Sequence, residues 1–298
     1  MRTPLVRLYT DAPAEIWLKL ENLQPIGSFK LRGAANAILS APRDELAAGV
    51  VTTSTGNMAQ GVAWMARELG ITATIVAPHN ASMSKLAAVE RLGGRVVRVT
   101  WDEWWEGMEA GRVAGVDGYF VHPVRDAPVI AGNGTIGLEL VEDLAEFDAV
   151  LIPWGGGGLT TGIASALKAL QPETNIYVCE PEVGAPVTAA FANGGVPVKV
   201  EYTASFIDGA GSGALLPEMW EHAEPLLAGA FSISLEDAAA GVRLLLERGR
   251  IVGEGAAGLP IAAAVAGLAG TGRVVCIVSG GNIDPARLAA ILEGRTPD

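Results

Sequence analysis

Short apolar runs alternate with longer amphipathic segments through most of the chain. The β-branched run at 50–53 is followed by 59–69, where apolar residues recur three and four positions apart. Apolar strands that alternate with helices are typical of parallel sheets covered by helices on both faces. Further strands are predicted at 72–77, 95–100, 118–122, 148–153, 175–180 and 274–279, and helices at 84–92, around Trp104 and Trp105, and at 135–144, 160–170, 255–272 and 285–292.

The composition limits the classes of protein to which the chain can belong. Half of the 298 residues are hydrophobic, 18% are charged and the mean hydropathy is +0.33, so the chain buries a large core and is not disordered. The formal net charge of −12 offers no general basic surface for nucleic acid or an anionic membrane. The length allows about two domains, and no change in composition marks the boundary between them.

Two segments bear on the location of the protein. The opening segment 1–15 carries charges throughout and lacks the apolar core of a signal peptide. The uncharged stretch 255–272 is rich in Ala and Gly, so it predicts a buried helix rather than a membrane span. We therefore expect a cytoplasmic protein with no membrane partner. Because the chain ends soon after Asn282, we also expect no C-terminal regulatory domain.

Cysteines and histidines exclude several kinds of site. Cys179 and Cys276 each lie in an apolar run that predicts a buried strand, so neither suggests a disulfide framework or a CxxC metal site. The three histidines, His79, His122 and His222, are too scattered for a structural zinc site. A Ser-His-Asp triad stays open, although no GxSxG motif favours one.

Three turns between a strand and a helix form the strongest local pattern. In DAVLIPWGGGGLTTG, a strand runs into Gly155–Gly158 and a helix follows from about Thr160. Backbone N–H groups at such a helix N-terminus bind anions, which favours a phosphate site over a flexible turn. The spacing fits neither GxGxxG nor GxxxxGK[ST]. Turns at 54–57 and 279–282 have the same setting, and parallel strands would bring the three to one crevice.

Lys30 is the candidate nucleophile. It lies between Phe29 and Leu31 at the start of the apolar segment 31–39, which predicts a partly buried amine rather than a solvated surface charge. Burial makes an amine more nucleophilic at neutral pH. A nucleophilic amine together with a phosphate site is what a pyridoxal phosphate Schiff base requires.

Motifs spread in order over nearly the whole chain carry a resemblance. The chain resembles the serine/threonine dehydratase and serine racemase family, among the fold type II (tryptophan-synthase-like) pyridoxal phosphate enzymes. The motifs are KLENLQPIGSFKLRGA (19–34), TSTGNMAQGVA (53–63), HPVRDAPVIAGNGTIGLEL (122–140), IPWGGGGL (152–159), CEPE (179–182), FIDGAG (206–211), VGEGAAG (252–258) and VSGGNID (278–284).

The resemblance implies an architecture. It predicts an α/β fold of two three-layer α/β/α domains with mostly parallel sheets. The large cofactor-binding domain would comprise 1–44 and 126–298, and the small substrate-loop domain, 45–125, would be inserted in it. The family pattern also implies a homodimer.

The resemblance further implies roles for named residues. Lys30 would hold pyridoxal phosphate and later abstract the substrate's Cα proton, with Phe29 packed against the cofactor ring. The loop of Ser54, Thr55, Asn57 and Met58 would receive the substrate carboxylate, with Ser54 and Thr55 also counted as catalytic. The other cofactor-binding residues would be Asn57 at the 3-hydroxyl, Gly155, Gly156, Gly157, Gly158 and Leu159 at the phosphate, Glu254, and Ser279 at the pyridine nitrogen.

The implied activity is that of a lyase. A dehydratase (ammonia-lyase) of this kind converts a serine- or threonine-like amino acid to a 2-keto acid and ammonia by α,β-elimination. A neutral Ser279 hydroxyl does not protonate the pyridine nitrogen as Asp would, which suits elimination. Thr55 leaves an amino acid racemase open as the alternative. A β-replacement synthase is disfavoured by Leu31, and a non-catalytic phosphate-ligand-binding protein is a minor alternative.

Some positions depart from the family pattern. Met58 stands where the family usually has His, which predicts a substrate with more apolar bulk than serine, aided by Trp154 or the Trp104–Trp105 pair. The cluster of Trp101, Trp104 and Trp105 is otherwise predicted to pack in the core. Pro186, in the segment after Glu180, replaces an Asp of metal-binding members and has no side-chain ligand, so we expect no metal.

Overall fold

The computed structural model describes residues 1–81 and 83–298. The chain forms two compact units. Unit 1 comprises Met1–Ser28 and Gly134–Asp298, and unit 2 comprises Phe29–Asn133. The domain boundaries predicted from the sequence, at 44/45 and 125/126, stay a prediction.

Unit 1 is built on a six-stranded sheet with strand order β1-β2-β10-β7-β8-β9. Neighbouring strands are parallel except β1 and β2, which pair antiparallel with Leu5 opposite Lys19. The strands are β1 (Leu5–Leu8), β2 (Glu15–Leu20), β7 (Ala149–Pro153), β8 (Asn175–Pro181), β9 (Gly229–Ile233) and β10 (Arg273–Val278). The helices that lie wholly in unit 1 are α6 (Gly158–Leu170), α7 (Pro186–Ala192), α8 (Pro217–Ala223), α9 (Leu235–Leu244), α10 (Gly255–Val265) and α11 (Pro285–Leu292).

The centre of this sheet is apolar on both faces. In β7 every residue is buried, and in β10 all but the first are. Such continuous apolar strands need helices on each side. Helix α10 is the segment predicted as a buried helix, and it begins at the predicted residue, Gly255. Cys179 and Cys276 are buried free thiols, as the sequence predicts.

Unit 2 contains a four-stranded parallel sheet with strand order β5-β4-β3-β6. Its strands are β3 (Val50–Thr52), β4 (Ala73–Pro78), β5 (Arg95–Val99) and β6 (Tyr119–Phe120). The helices are α1 (Lys30–Ser40), α2 (Asn57–Leu69), α3 (Met83–Arg91) and α4 (Trp101–Ala110), while α5 (Ala127–Asp143) begins in unit 2 and ends in unit 1.

The two sheets and their covering helices confirm the predicted α/β class. Three predicted elements nevertheless differ from the structure. The helix predicted at 255–272 ends at Val265, because Gly267 and Gly270, with φ +72° and +92°, leave the helical conformation. The strand predicted at 118–122 covers only Tyr119–Phe120, because the chain turns at His122. The helix predicted at 135–144 begins earlier, at Ala127. Gly132 lies in that first part, and a β-carbon built there would come 2.4 Å from Arg32 O, so the glycine is needed for close packing against α1.

The tryptophans of α4 divide between core and surface. Trp104 packs against the buried cluster of Val51, Val76 and Val113, whereas Trp101 and Trp105 are exposed. Among the residues that the structure describes, no helix has the length and apolar character needed to cross a membrane.

Candidate active site

In unit 2, the candidate residues lie at the carboxyl edge of the sheet. Strands β3 and β6 are neighbours, and Val121 N donates to Val51 O at 2.8 Å just after β6 ends. The segments that follow the two strands, 53–57 and 121–126, therefore leave the same edge. Ligands of parallel α/β sheets bind at this edge.

Lys30 lies beside the second of these segments. The side chain is half-buried, and its Nζ donates to Pro123 O at 2.7 Å. The same Nζ lies 5.3 Å from the centroid of the Phe29 ring, a distance at which the ring attracts a cation. The structure thus brings Phe29, Lys30 and the 121–126 segment together.

The loop of 53–57 leads into the N-terminus of α2. Ser54 Oγ accepts a hydrogen bond from Gly56 N at 3.4 Å, and Ser54, Thr55 and Asn57 are half-buried, so the loop is accessible. Because α2 begins at Asn57, the N–H groups of its first turn have no acceptor within the helix. A helix N-terminus of this kind attracts a carboxylate.

The Met58 side chain does not lie where the sequence analysis predicts, at the substrate. It is 1% exposed and packs in the apolar core of unit 2 with Ala34, Val62 and Val129. The thioether is therefore a core group. What Met58 contributes to the loop is its backbone N–H in the first turn of α2.

In unit 1, the glycine segment forms the N-terminus of α6. Gly157 has φ +95°, and a β-carbon there would come 2.7 Å from the Trp154 ring. Trp154 itself is 1% exposed and packs in the core, so it does not line a substrate pocket. A β-carbon on Gly155 would come 2.8 Å from Gly209 O. Both positions therefore require glycine, because a side chain there would clash with the protein itself.

Buried hydroxyls at the carboxyl ends of β7 and β10 lack partners. Thr160 and Thr161 follow the glycine segment in α6, and Ser279 follows β10. Their oxygens have no hydrogen-bond partner within 1–81 and 83–298. Unsatisfied buried hydroxyls are costly in a folded protein, so each needs an explanation. Here they indicate a polar ligand at this edge of unit 1.

Glu254 packs against both Gly209 and Gly280. Its backbone N donates to Gly280 O at 2.9 Å, and its carboxylate packs so closely on Gly280 that a β-carbon there would lie 2.6 Å from Oε1. A β-carbon on Gly209 would lie 3.4 Å from the same oxygen. Gly155, Gly209, Glu254 and Gly280 therefore form one continuous set of contacts within unit 1. Leu159, the first residue after the glycines, is buried.

Glu180 is satisfied within the protein. It is 0% exposed, and its carboxylate accepts hydrogen bonds from Val187 N (3.1 Å), Thr188 N (2.9 Å) and Thr188 Oγ1 (3.0 Å) at the start of α7. Burial raises the pKa of Glu180 to about 7, although these donors oppose the rise. No group of three or more His, Cys, Asp or Glu side chains suited to a metal ion occurs in the described part of the chain.

One cavity of unit 2 lies away from the candidate residues. Its volume is about 560 Å³, and residues at the amino end of the sheet, among them Ala48, Gly118 and Tyr119, line it. No predicted site residue lines this cavity. The carboxyl edge is the better candidate site, because it has the candidate nucleophile Lys30 and the N-terminus of α2.

The sequence reasoning missed several residues that the structure places at these edges. His122, Pro123 and Asp126 form a hydrogen-bonded turn beside Lys30, and Thr160 and Thr161 add hydroxyls to the glycine segment. The sequence contains the HPVRD motif at 122–126, but the motif does not show that the Pro123 carbonyl accepts a hydrogen bond from Lys30.

Known proteins share this organisation. The sequence model of a family described as "Pyridoxal-phosphate dependent enzyme" matches residues 1–280. An L-threonine ammonia-lyase of Thermotoga maritima is 40% identical over 274 residues, which cover 91% of this chain and 68% of that protein.

Solved structures agree with the sequence comparison. The processed form of threonine deaminase isoform 2 from Solanum lycopersicum superposes with a TM-score of 0.87 at 31% identity, covering 99% of this chain and 88% of the other. Maize serine racemase also gives a TM-score of 0.87, at 29% identity, covering 98% of this chain and 92% of the other.

Proposed function

We propose that this chain, which belongs to the family of pyridoxal-phosphate dependent enzymes, prefers L-threonine as its substrate and carries the cofactor on Lys30. The chain is a lyase that converts a 3-hydroxy amino acid to a 2-keto acid and ammonia. Support for threonine comes from the 40% identity to an L-threonine ammonia-lyase over 91% of the chain.

Each unit by itself contains residues that suit this cofactor. Gly157, with φ +95°, shapes the turn into α6, and the α6 N-terminus favours the negative charge of a phosphate. The unsatisfied Ser279 hydroxyl suits a pyridine nitrogen, which needs a single polar partner. We assign Gly155 to Gly158 and Leu159 to the phosphate, Ser279 to the ring nitrogen, Asn57 to the 3-hydroxyl, and Phe29 and Glu254 to packing at the ring.

Lys30 provides the amine. It is half-buried, lies at the accessible carboxyl edge of unit 2, and begins α1. When bound there, pyridoxal phosphate supplies an electron sink that acidifies the substrate's Cα–H. The Lys30 amine, when not bonded to the cofactor, would take that proton as a general base. Its contact with Pro123 O stabilises the ammonium that results.

The loop of 54–58 orients the substrate. We assign the N–H groups at the start of α2, those of Asn57 and Met58 included, to the substrate carboxylate. Ser54 and Thr55 place hydroxyls beside the loop, where they hydrogen-bond the substrate and move protons. A carboxylate fixed here limits the rotation of the amino acid, so its Cα–H stays directed at one base.

A product assay tests this assignment. The purified enzyme is supplied with pyridoxal phosphate and assayed for 2-keto acid release from L-threonine, L-serine and D-serine. We expect kcat/KM for L-threonine to exceed that for L-serine by about 10-fold, the worth of one methyl group in an apolar pocket. Lys30→Ala should eliminate turnover, whereas the exposed control Lys199→Ala should keep it.

The same assay separates the racemase alternative. Structural similarity to maize serine racemase, and a half-buried Thr55 hydroxyl in the loop, favour this second candidate. Chiral analysis of the remaining amino acid decides between the two. Formation of the D-enantiomer without keto acid would establish the racemase and overturn the dehydratase assignment.

We also propose that the enzyme is a cytoplasmic homodimer. The net charge of −12 disfavours binding to nucleic acid and to anionic membranes. Light scattering after size-exclusion chromatography should give twice the chain mass of 30.7 kDa. A single-chain mass at all concentrations would contradict the dimer.

A further inference from the structure

The turn at 122–126 in unit 2 is held by the side chain of His122. The imidazole Nδ1 accepts hydrogen bonds from Val124 N at 3.1 Å and from Arg125 N at 3.0 Å. At the other end of the turn, Asp126 Oδ2 accepts from His122 N at 2.7 Å. Three backbone N–H groups are thus bound by two side chains of the turn itself.

These contacts define the state of the imidazole. A protonated Nδ1 is a donor and cannot accept from Val124 or Arg125, so Nδ1 carries no proton and the proton of the neutral ring lies on Nε2. The ring is 3% exposed and lies 6.4 Å, centroid to centroid, from Phe120. His122 therefore serves the turn through one atom, its Nδ1.

Further bonds anchor the turn to the rest of unit 2. The Arg125 guanidinium donates to Met108 O and Glu109 O at the end of α4, and Asp126 O accepts from Ile130 N in α5 at 3.0 Å. Pro123 lies two residues before the first of these anchors, and its carbonyl accepts a hydrogen bond from the Lys30 amine at 2.7 Å. The direction of that carbonyl depends on the turn, and the turn depends on Nδ1 of His122.

We propose that His122 is a positioning residue, which through its Nδ1 directs the Pro123 carbonyl at Lys30 and so holds the lysine amine whenever it is not bonded to the cofactor. This inference rests on the proposed function, because it needs Lys30 to be the cofactor-binding lysine. A carbonyl suits this task since it accepts a hydrogen bond from an ammonium without taking its proton. The amine then keeps a fixed position after it accepts a proton.

Three substitutions separate the two ring nitrogens. In His122→Asn, Oδ1 lies at the same bond distance from the backbone as Nδ1 and accepts from backbone N–H groups two or three residues on, as in Asx-turns. In His122→Gln the polar group lies where Nε2 was. His122→Leu keeps bulk but has no acceptor. The exposed His79 provides a matched control in the same unit, as His79→Leu.

Two measurements are made on each variant. The first is kcat and KM for L-threonine. The second needs no cofactor: the cofactor-free protein is treated with an acylating reagent, and the rate of labelling at Lys30 is followed by peptide mass spectrometry. Thermal unfolding is recorded alongside, so a loss of stability is not mistaken for a loss of positioning.

We expect His122→Asn to retain kcat within about 3-fold, and His122→Leu and His122→Gln to lose on the order of 10-fold in kcat with KM little changed. Lys30 should be acylated several-fold faster in the latter two, because its ammonium has lost its acceptor. His79→Leu should match the wild type in both readouts.

Other results would overturn the inference. Rescue by Gln but not by Asn would show that Nε2 acts, and wild-type kcat and labelling in all variants would show that the turn does not position Lys30. Should Leu and Gln fail to fold, His122→Asn decides, since a folded Asn variant with lowered kcat contradicts the inference. Turnover that survives in Lys30→Ala would instead overturn the proposed function.

Discussion

Lys19 Nζ lies 2.7 Å from Glu139 Oε2, and the Lys19 side chain is completely buried. The same nitrogen lies 3.2 Å from Asp143 Oδ2 and donates to Thr3 O at 2.8 Å. Its three donor positions are thus occupied by acceptors that bind it as a cation. Lys19 is therefore a structural lysine that ties β2 to the end of α5, unlike the half-buried Lys30.

Removal of this cation should destabilise unit 1. Lys19→Met leaves the partly buried Glu139 without its cation and leaves Asp143 with Arg2 alone, and loss of one partner costs about 3–5 kcal/mol in comparable buried pairs. Urea unfolding measures the loss. The exposed partner Arg2, changed to Met, should have a far smaller effect, and Lys19→Met/Glu139→Leu should recover part of the stability. Equal losses for Lys19→Met and Arg2→Met would refute the buried-pair account.

A β-carbon at Gly157 should weaken cofactor binding. Gly157→Ala places a methyl group against the Trp154 ring and forces an L-residue to φ +95°, so the backbone segment assigned to phosphate must shift. Gly270 is a matched control in the same unit, because its φ is +92° and a β-carbon there meets no neighbouring atom.

Both variants carry the backbone strain, but only one has the clash. We expect Gly157→Ala to raise the Kd for pyridoxal phosphate on the order of 10-fold or more, and Gly270→Ala to leave it unchanged. Fluorescence titration of the cofactor-free proteins gives both values. Similar Kd values for the two variants would contradict the assignment of Gly155 to Gly158 to the cofactor phosphate.

The stability of the protein should depend on Glu180. Burial raises its pKa from 4.5 to about 7, so between these pH values the native state binds a proton that the unfolded chain releases. This contribution is complete below pH 4.5 and is lost as the pH rises through 7. The loss amounts to about 3 kcal/mol, from 1.36 kcal/mol per unit of pKa.

Urea unfolding at pH 5 and pH 8 tests whether the free energy of unfolding falls as the pH rises. The free energy of unfolding of Glu180→Gln should change less between these pH values than that of the wild type, because Gln does not titrate. Asp126, whose pKa is also raised by burial, contributes equally to both proteins. An identical pH dependence in the two proteins would refute the role of Glu180.

Divalent cations should have no effect on the enzyme. The Glu180 carboxylate already accepts three hydrogen bonds from the start of α7, and Pro186 offers no side-chain ligand. Treatment with a chelator should therefore leave activity and melting temperature unchanged. A large loss that magnesium restores would show that other groups bind a cation.

Much of the fold follows from the sequence pattern, because buried parallel strands are continuous apolar runs. The strands at 50–53, 148–153 and 274–279 were predicted to within a residue or two at each end. Helix α11 was predicted with its observed bounds. The strands β1, β2 and β9 were not predicted. β1 and β9 are edge strands whose residues are only partly buried, and in β2 the charged Glu15 and Lys19 interrupt the apolar run.

The candidate site was less accessible to sequence reasoning. Lys30 and the glycine segment were found because their residue types suggest chemistry. The hydrogen bond from Lys30 to Pro123 O was not predicted, because every residue has a backbone carbonyl and its residue type does not show which carbonyl accepts. Met58 shows the converse: its position in a motif predicted a side chain that faces the substrate, whereas its neighbours place that side chain in the core.

Met58→His should therefore act on stability and not on specificity. A histidine at this core position buries a polar ring among aliphatic side chains and costs about 1–3 kcal/mol. Urea unfolding should show that loss, while the ratio of kcat/KM for L-threonine and L-serine stays as in the wild type. A shift of that ratio by about 5-fold or more would restore the side chain to the substrate site.

The central claim is that Lys30 carries the cofactor, and borohydride reduction tests it most directly. The chain has five lysines, at positions 19, 30, 85, 168 and 199. Reduction of the holoenzyme fixes the cofactor on the lysine that bears it, and peptide mass spectrometry locates the added pyridoxyl group. We predict the group on the peptide containing Lys30 and on no other. Its appearance at Lys19, Lys85, Lys168 or Lys199, with Lys30 unmodified, would contradict the account.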